Sequence, residues 1–211
     1  MIPLKICGIT NINDALAAIN NGANAIGFIF AKDSPRKISI KKAKEITKIV
    51  GNKTSKVGVF VNDKKDFIQE AIETIPLNMI QLHGDEEPSF CNLFNIPVIK
   101  AIQIENNESI NKADKYNVNA ILCDSYKKKI YGGTGISFDW NRLLKKKNKM
   151  PIILSGGINI KNVLNGINKV NPIAIDVNSG VETSPGKKSH IKLKNFYNKI
   201  NKTRNTGFSF E

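Results

Sequence analysis

A thiol at Cys7, an imidazole at His83 and carboxyls at Asp124 and Asp176 each stand at the end of a short apolar run. The runs end Lys5-Ile6-Cys7-Gly8, Gln81-Leu82-His83-Gly84, Leu122-Cys123-Asp124-Ser125 and Ile175-Asp176-Val177-Asn178. Side chains alternate faces along a strand, so Lys5 shares a face with Cys7, Gln81 with His83 and Asp176 with Asn178. Asp124 faces away from Cys123. A thiolate and a carboxylic acid converging on one place are a base and an acid for moving protons on a carbon skeleton. The Lys5 ammonium favours the thiolate of Cys7, although a small buried cysteine with only a packing role stays open. His83 fits a hydrogen-bonded core position as well as a site. Cys91 and Cys123 are expected to pack, and His190 to lie on the surface.

Two glycine loops follow later runs, Ser155-Gly156-Gly157 and Asn178-Ser179-Gly180. Loops of this kind let backbone N–H groups approach an anion, and a following helix N-terminus adds a favourable dipole. Gly156, Gly157, Ser179 and Gly180 are therefore the expected phosphate site. A third loop, Gly132-Gly133-Thr134-Gly135, suits the covering of a ligand. Arg36, in Ser34-Pro35-Arg36-Lys37, is one of only three arginines among 32 basic residues. Its planar fork suits a carboxylate or phosphate clamp in a way lysine does not. No His, Cys and carboxylate set has ligand spacing, so no metal is expected.

The elements that must position these groups are eight short β-rich runs: Leu4–Cys7, Ala25–Phe30, Lys56–Val61, Asn78–Leu82, Val98–Ile102, Ala120–Cys123, Ile152–Leu154 and Ile173–Val177. Between them lie stretches with helical periodicity. Ser39 reads as an N-cap and Gly51 as the stop of one helix. Asp63 and Asp139 each open another. The segment 107–116 is the least regular. Eight strand–helix alternations mean parallel strands and right-handed crossovers. No Gly-x-Gly-x-x-Gly follows the first strand, which leaves an open dinucleotide-type sheet unsupported. Eight near-equal units predict a single-domain (β/α)8 TIM barrel over residues 1–200, with a frayed tail at 201–211. In such a barrel the chemistry belongs at the C-terminal strand ends, and the loops after the last two strands are the usual phosphate position.

Composition narrows the class further. With 41% hydrophobic and 24% charged residues, the chain is not compositionally disordered. No apolar run is long enough to span a membrane, and the start lacks the layout of a signal peptide. Three cysteines without Cys-x-x-Cys fit a reducing, cytoplasmic setting. The net charge of +14 raises a nucleic-acid partner, but lysine dominates it and reads bases and phosphates less well than arginine. A solvated lysine surface is the favoured expectation. The residues alone thus give a cofactor-free barrel enzyme acting on a phosphorylated small molecule, with a thiol and a carboxyl as base and acid.

These residues resemble phosphoribosylanthranilate isomerase, over about residues 4–198. The marks are Lys5-Ile6-Cys7-Gly8-Ile9-Thr10, Gly22-Ala23-x-Ala25-Ile26-Gly27-Phe28-Ile29-Phe30 with Ser34-Pro35-Arg36, and Val57-Gly58-Val59-Phe60-Val61-Asn62. They continue with Gln81-Leu82-His83-Gly84, Gly132-Gly133-Thr134-Gly135 with Phe138-Asp139-Trp140, and Leu154-Ser155-Gly156-Gly157-Ile158. The last is Asp176-Val177-Asn178-Ser179-Gly180-Val181-Glu182 with Pro185-Gly186-Lys187-Lys188. The resemblance implies an Amadori rearrangement in tryptophan biosynthesis, needing no cofactor; monomer and homodimer both stay open. It implies Asp124 as general acid, Cys7 as general base and Arg36 on the anthranilate carboxylate. His83 and Asp176 would line the sugar and anthranilate region, and the glycine loops would hold the phosphate. To act as an acid at neutral pH, Asp124 needs its proton held by burial or by neighbouring negative charge. Asn24 departs from the acidic residue of many relatives.

Two rival readings make different demands. Indole-3-glycerol phosphate synthase, another phosphate-binding barrel, would need a lysine and glutamate pair inside the barrel, and Lys5 and Lys100 are available. A basic nucleic-acid-binding protein on the same scaffold would bind any duplex in a salt-sensitive way.

Overall fold

The computed structural model describes residues 1–125, 138–144 and 151–211. The expected glycine loop at 132–135 lies outside the described residues. Eight parallel strands close into a barrel in sequence order: β1 Leu4–Ile6, β2 Ala25–Ile29, β3 Ser55–Phe60, β4 Met79–Leu82, β5 Val98–Ile104, β6 Ala120–Ser125, β7 Ile152–Leu154 and β8 Ala174–Val177. Between and after them run α1 Ile12–Asn20, α2 Ile40–Val50, α3 Lys65–Thr74, α4 Pro88–Cys91, α5 Asn107–Asn111, α6 Asn141–Leu144, α7 Val163–Val170 and α8 His190–Ile200. The predicted (β/α)8 barrel is the observed fold.

Parity along the strands makes two cores. Outward residues such as Ile6, Phe28, Phe60, Leu82, Ile121, Leu154 and Val177 pack against the helices in one large cluster. Inward residues near the strand starts, including Ala25, Val57, Met79, Ile99, Leu122 and Ile153, fill the lumen in a second. Both faces of every strand are covered, which explains why the strands read as nearly unbroken apolar runs. Closure joins β1 to β8 in register, with Leu4 opposite Ile175 and Lys5 opposite Asp176.

The helix signals hold where a cap or a stop was visible. The Ser39 hydroxyl accepts from the amide of Lys42, and Gly51 ends α2 at φ 58°. Asp139 receives the Asn141 amide at 3.0 Å at the start of α6. Asp63 behaves differently. Its carboxylate accepts from the Val61 amide at 3.1 Å, so it ties the turn after β3, and α3 starts from Lys64 without a side-chain cap. The irregular stretch 107–116 splits into α5 and a 3-10 turn over Lys112–Lys115.

Two features were not foreseen. A small antiparallel hairpin, β9 Glu182–Ser184 with β10 Lys187–Lys188, follows β8. Residues 201–211 have no helix or strand, yet the expected fraying is wrong. The Thr206 hydroxyl donates to the Ile173 carbonyl at 2.6 Å, and Phe210 is 1% exposed within the lumen cluster. A phenyl ring with an apolar pocket to enter outweighs the polar composition around it.

Candidate active site

The strand register decides which polar groups meet. On β1, Lys5 turns inward, and Cys7 follows with its amide bonded to the Val177 carbonyl of β8 at 3.0 Å. Gln81 and His83 enter from β4, Asp124 from β6, Ser155 from β7 and Asp176 from β8. Cys7, His83, Asp124, Asp176 and Arg36 all line one cavity of about 540 Å³ at the C-terminal mouth. Sequence reasoning placed these five together, and the structure brings them together.

Three buried networks shape the cavity. In the first, the Lys5 ammonium meets Asp176 Oδ1 at 2.9 Å, while the Ser155 hydroxyl lies 3.3 Å from Oδ2. Lys5 is fully buried and also hydrogen-bonds the Cys7 thiol. Burial works against its charge, but the Asp176 carboxylate and the thiol win and push its pKa up. Burial also pushes the Cys7 thiol above the ordinary thiol range. Lys5 and Lys188 pull that thiol down and Asp176 pushes it up, so the ammonium acts in the anticipated direction without prevailing. The expectation of a net lowered thiol is corrected: the cost of a charge in this buried position exceeds what the two ammonium groups, each already paired with a carboxylate, return.

In the second network, His83 Nε2 stands 3.0 Å from Asp124 Oδ2, and Gln81 Nε2 stands 2.7 Å from His83 Nδ1. The imidazole thus bridges the Gln81 side-chain amide and the Asp124 carboxyl through its two ring nitrogens. Gln81 Oε1 is buried with no hydrogen-bond partner among the described residues. Asp124 Oδ1 accepts from the Ser125 amide at 2.8 Å.

The third network was invisible in the sequence. Glu182, on β9, takes the Arg36 Nε at 3.0 Å and Nη2 at 2.7 Å, and takes the Lys188 ammonium at 2.9 Å. Burial alone would raise the Glu182 carboxyl, but hydrogen bonds and charge from Arg36 and Lys188 hold it below the usual carboxylate range. Burial lowers the pKa of Lys188 despite Glu182. The hairpin of β9 and β10 sets Lys188 opposite Glu182 and so brings these two partners together.

The glycine loops stand beside the cavity rather than along its wall; Ser155 and Asn178, their first residues, do line it. Gly156 has φ 79°, and an added Cβ would meet the Ser125 backbone and hydroxyl, with Asp124 Oδ1 at 3.0 Å. A Cβ on Gly180 would run into the Ile158 carbonyl, so the two loops abut. The amides of Asn159 and Asn162 both donate to the Gly157 carbonyl, at 3.0 and 2.9 Å. That carbonyl is thereby engaged by two side chains.

Lys100 points away from the lumen. Its ammonium meets Glu86 at 2.9 Å and the Gly84 carbonyl at 2.6 Å, in the layer between strands and helices. The lysine and glutamate pair that the synthase reading needs inside the barrel is therefore not supplied by Lys100. Cys91 and Cys123 are buried packing residues. His190 opens α8 with a half-exposed ring 3.0 Å from Asp14. Among the described residues no group of three or more His, Cys, Asp or Glu could hold a metal ion, and no helix is long and apolar enough to cross a membrane.

Known proteins share this fold and much of this sequence. The model of the N-(5'-phosphoribosyl)anthranilate isomerase family matches residues 4–199. The isomerase of Geotalea uraniireducens is 42% identical over 196 residues, covering 93% of this chain and 97% of that protein. The crystal structure of the Thermotoga maritima isomerase superposes with a TM-score of 0.89 at 38% identity, covering 95% of this chain and 99% of that one. The same family has been crystallised with reduced 1-(o-carboxyphenylamino)-1-deoxyribulose 5-phosphate, in a structure 38% identical with a TM-score of 0.86 over 95% of this chain and 99% of that one. Barrel and matched sequence agree, and the chain belongs to the N-(5'-phosphoribosyl)anthranilate isomerase family.

Proposed function

We propose that this chain catalyses the Amadori rearrangement of N-(5-phosphoribosyl)anthranilate to 1-(2-carboxyphenylamino)-1-deoxyribulose 5-phosphate, with Asp124 as acid and Cys7 as base. The observation that carries the reading is the entry of a thiol and a carboxyl from the ends of two non-adjacent strands into one cavity with Arg36 on its wall. Asp124 gives a proton to the ring oxygen as the C1′–O bond breaks, and the anilinic nitrogen donates its pair to form the iminium. The iminium acidifies the neighbouring C2′–H. The Cys7 thiolate removes that proton, and the C–H electrons become the C1′=C2′ bond of an enolamine. Tautomerisation places a proton on C1′ and leaves the ketone at C2′. The substrate nitrogen is the electron sink, so the reaction needs no cofactor.

His83, at hydrogen-bond distance from Asp124, is placed to return the acid's proton between turnovers. Asp176 holds the Lys5 ammonium against the thiol. The Arg36 Nη1 edge has no partner among the described residues and is left for the anthranilate carboxylate. The backbone N–H groups at Gly156, Gly157, Ser179 and Gly180 take the phosphate. The protein works in the cytoplasm as a monomer or homodimer, and its lysine-rich surface serves solubility rather than nucleic acid.

The test follows the anthranilate-type fluorescence of substrate made in situ. Signal should fall quickly with the wild-type chain. Cys7→Ala and Asp124→Asn should each abolish the fall while leaving substrate affinity nearly unchanged, because acid and base act only in the transition state. A Cys7→Ala protein that keeps its turnover overturns the base assignment.

A further inference from the structure

The N-terminal mouth of the barrel, opposite the catalytic cavity, is built around small side chains. The first residues of the four even-numbered strands are Ala25, Met79, Ala120 and Ala174, all buried in the lumen cluster. Barrels of this kind fill each lumen layer with four side chains from alternate strands, mostly bulky branched ones. Three alanines in one such layer leave a space that the strands do not fill.

Phe210 fills it. Its ring belongs to the same cluster as those four residues, and Phe208 packs beside it with ring centroids 5.0 Å apart at 80°. Exposure alternates along the segment: Thr206, Phe208 and Phe210 turn to the barrel, while Asn205, Gly207, Ser209 and Glu211 face water. That is the face alternation of extended chain. Two hydroxyls fix the path. Thr203 accepts from the Ile2 amide at 3.0 Å, and Thr206 donates to the Ile173 carbonyl at 2.6 Å, one residue before β8. Glu211 lies within electrostatic reach of Lys56 on β3. The family model's match ends at residue 199, before this segment.

We propose that residues 204–211 are an intramolecular ligand of the barrel's N-terminal mouth, a plug whose Thr206, Phe208 and Phe210 occupy a pocket the eight strands leave open. The pocket is an apolar docking surface with a Phe-x-Phe specificity, and it accepts the same segment in trans once its own is removed. This does not depend on the catalytic roles assigned above.

The experiment compares the full chain, a chain ending at Thr203, and the full chain carrying Phe210→Ala. A synthetic peptide of residues 204–211 is titrated onto the shortened chain, with a peptide bearing alanine at both phenylalanines as control. Truncation and Phe210→Ala should each lower Tm by roughly 10 °C, the scale of an emptied phenyl site in a chain of this size. The native peptide should bind the shortened chain and raise its Tm with concentration, the alanine peptide should do neither, and initial isomerase rates at low temperature should stay within about twofold. Unchanged melting in both variants overturns the proposal, as does a folded short chain that does not bind the peptide. Should the short chain not fold, Phe210→Ala decides alone: a lowered Tm supports the plug and an unchanged one overturns it.

Discussion

Arg36 carries N–H groups on more than one edge, and Glu182 takes the Nε and Nη2 side before any ligand arrives. A guanidinium held on one edge keeps the other at a fixed angle, so little rotamer freedom is lost on clamping a carboxylate. Arg36→Lys and Glu182→Gln should therefore both raise KM, with Arg36→Lys the worse by about tenfold because an ammonium cannot fork. Titration gives a second check. Glu182 is held below its unfolded pKa, so its contribution to stability is present above the ordinary carboxylate range and disappears as pH falls through the depressed value. The stability difference between the wild-type chain and Glu182→Gln should accordingly vanish in strong acid. For Cys7 the sign is reversed in its effect on rate. If Cys7 is the base, as proposed, a thiol whose pKa is pushed up by burial is mostly protonated at neutral pH, so kcat/KM should keep rising into the alkaline range, beyond where a free thiol levels off. Gly27→Ala should remove activity without unfolding, because a Cβ there would stand 2.8 Å from the Cys7 sulfur. Cys7, His83, Asp124 and Asp176 were legible because period two fixes which side of a strand a residue occupies. Glu182 and Gln81's bond to His83 were not, since they depend on a hairpin and a rotamer that no spacing encodes.

Strands and helices were legible to within one or two residues wherever an apolar run met a turn, as at β7, and blurred where polar residues continue the pairing. β5 and β6 run two residues longer than their apolar cores because Gln103 pairs with Asp124 and Ile104 with Ser125. A repeated device at the strand starts also escaped notice. The side-chain oxygens of Asn24, Asn78 and Asn119, each just before an even-numbered strand, accept the amides of Leu4, Lys56 and Val98 at 2.9 Å. The same asparagines donate their own amides to the carbonyls of those residues. Each such asparagine makes a two-point clasp between neighbouring strands, and an aspartate would accept the same bond, which accounts for the harmless departure at Asn24. Asn78→Ala should cost about 1–2 kcal/mol by leaving the Lys56 amide without its acceptor, measured by urea denaturation, and should not alter kcat. At the fourth even strand the residue before β8 is Ile173, and there the tail's Thr206 supplies the hydroxyl instead.

The number of strands and their even spacing made the closed barrel readable, because a parallel sheet of eight equal units has few other ways to cover both faces. What the spacing could not convey was the fate of the last residues. Thr-x-Phe-x-Phe is an alternating pattern, yet it is too short to stand out beside Asn, Lys and Arg, and only the alanines across the barrel give it a destination. The surface is another matter of the entire chain. With a net charge of +14 the folded state repels itself. Moving from low salt to the physiological range should raise Tm by a few degrees through screening, as followed by calorimetry. A nucleic-acid-binding protein of this charge would instead show steep, salt-sensitive duplex retention on a filter. The ion pair between Lys5 and Asp176 joins the first strand to the last, 171 positions apart in sequence. With Cys7 as the proposed base beside Lys5, the site is complete only when that contact has formed. During refolding, recovery of turnover should trail the return of helical signal and coincide with ring closure, the slowest and most non-local event this topology contains. Activity in this protein is thus a clock for the moment its two ends meet.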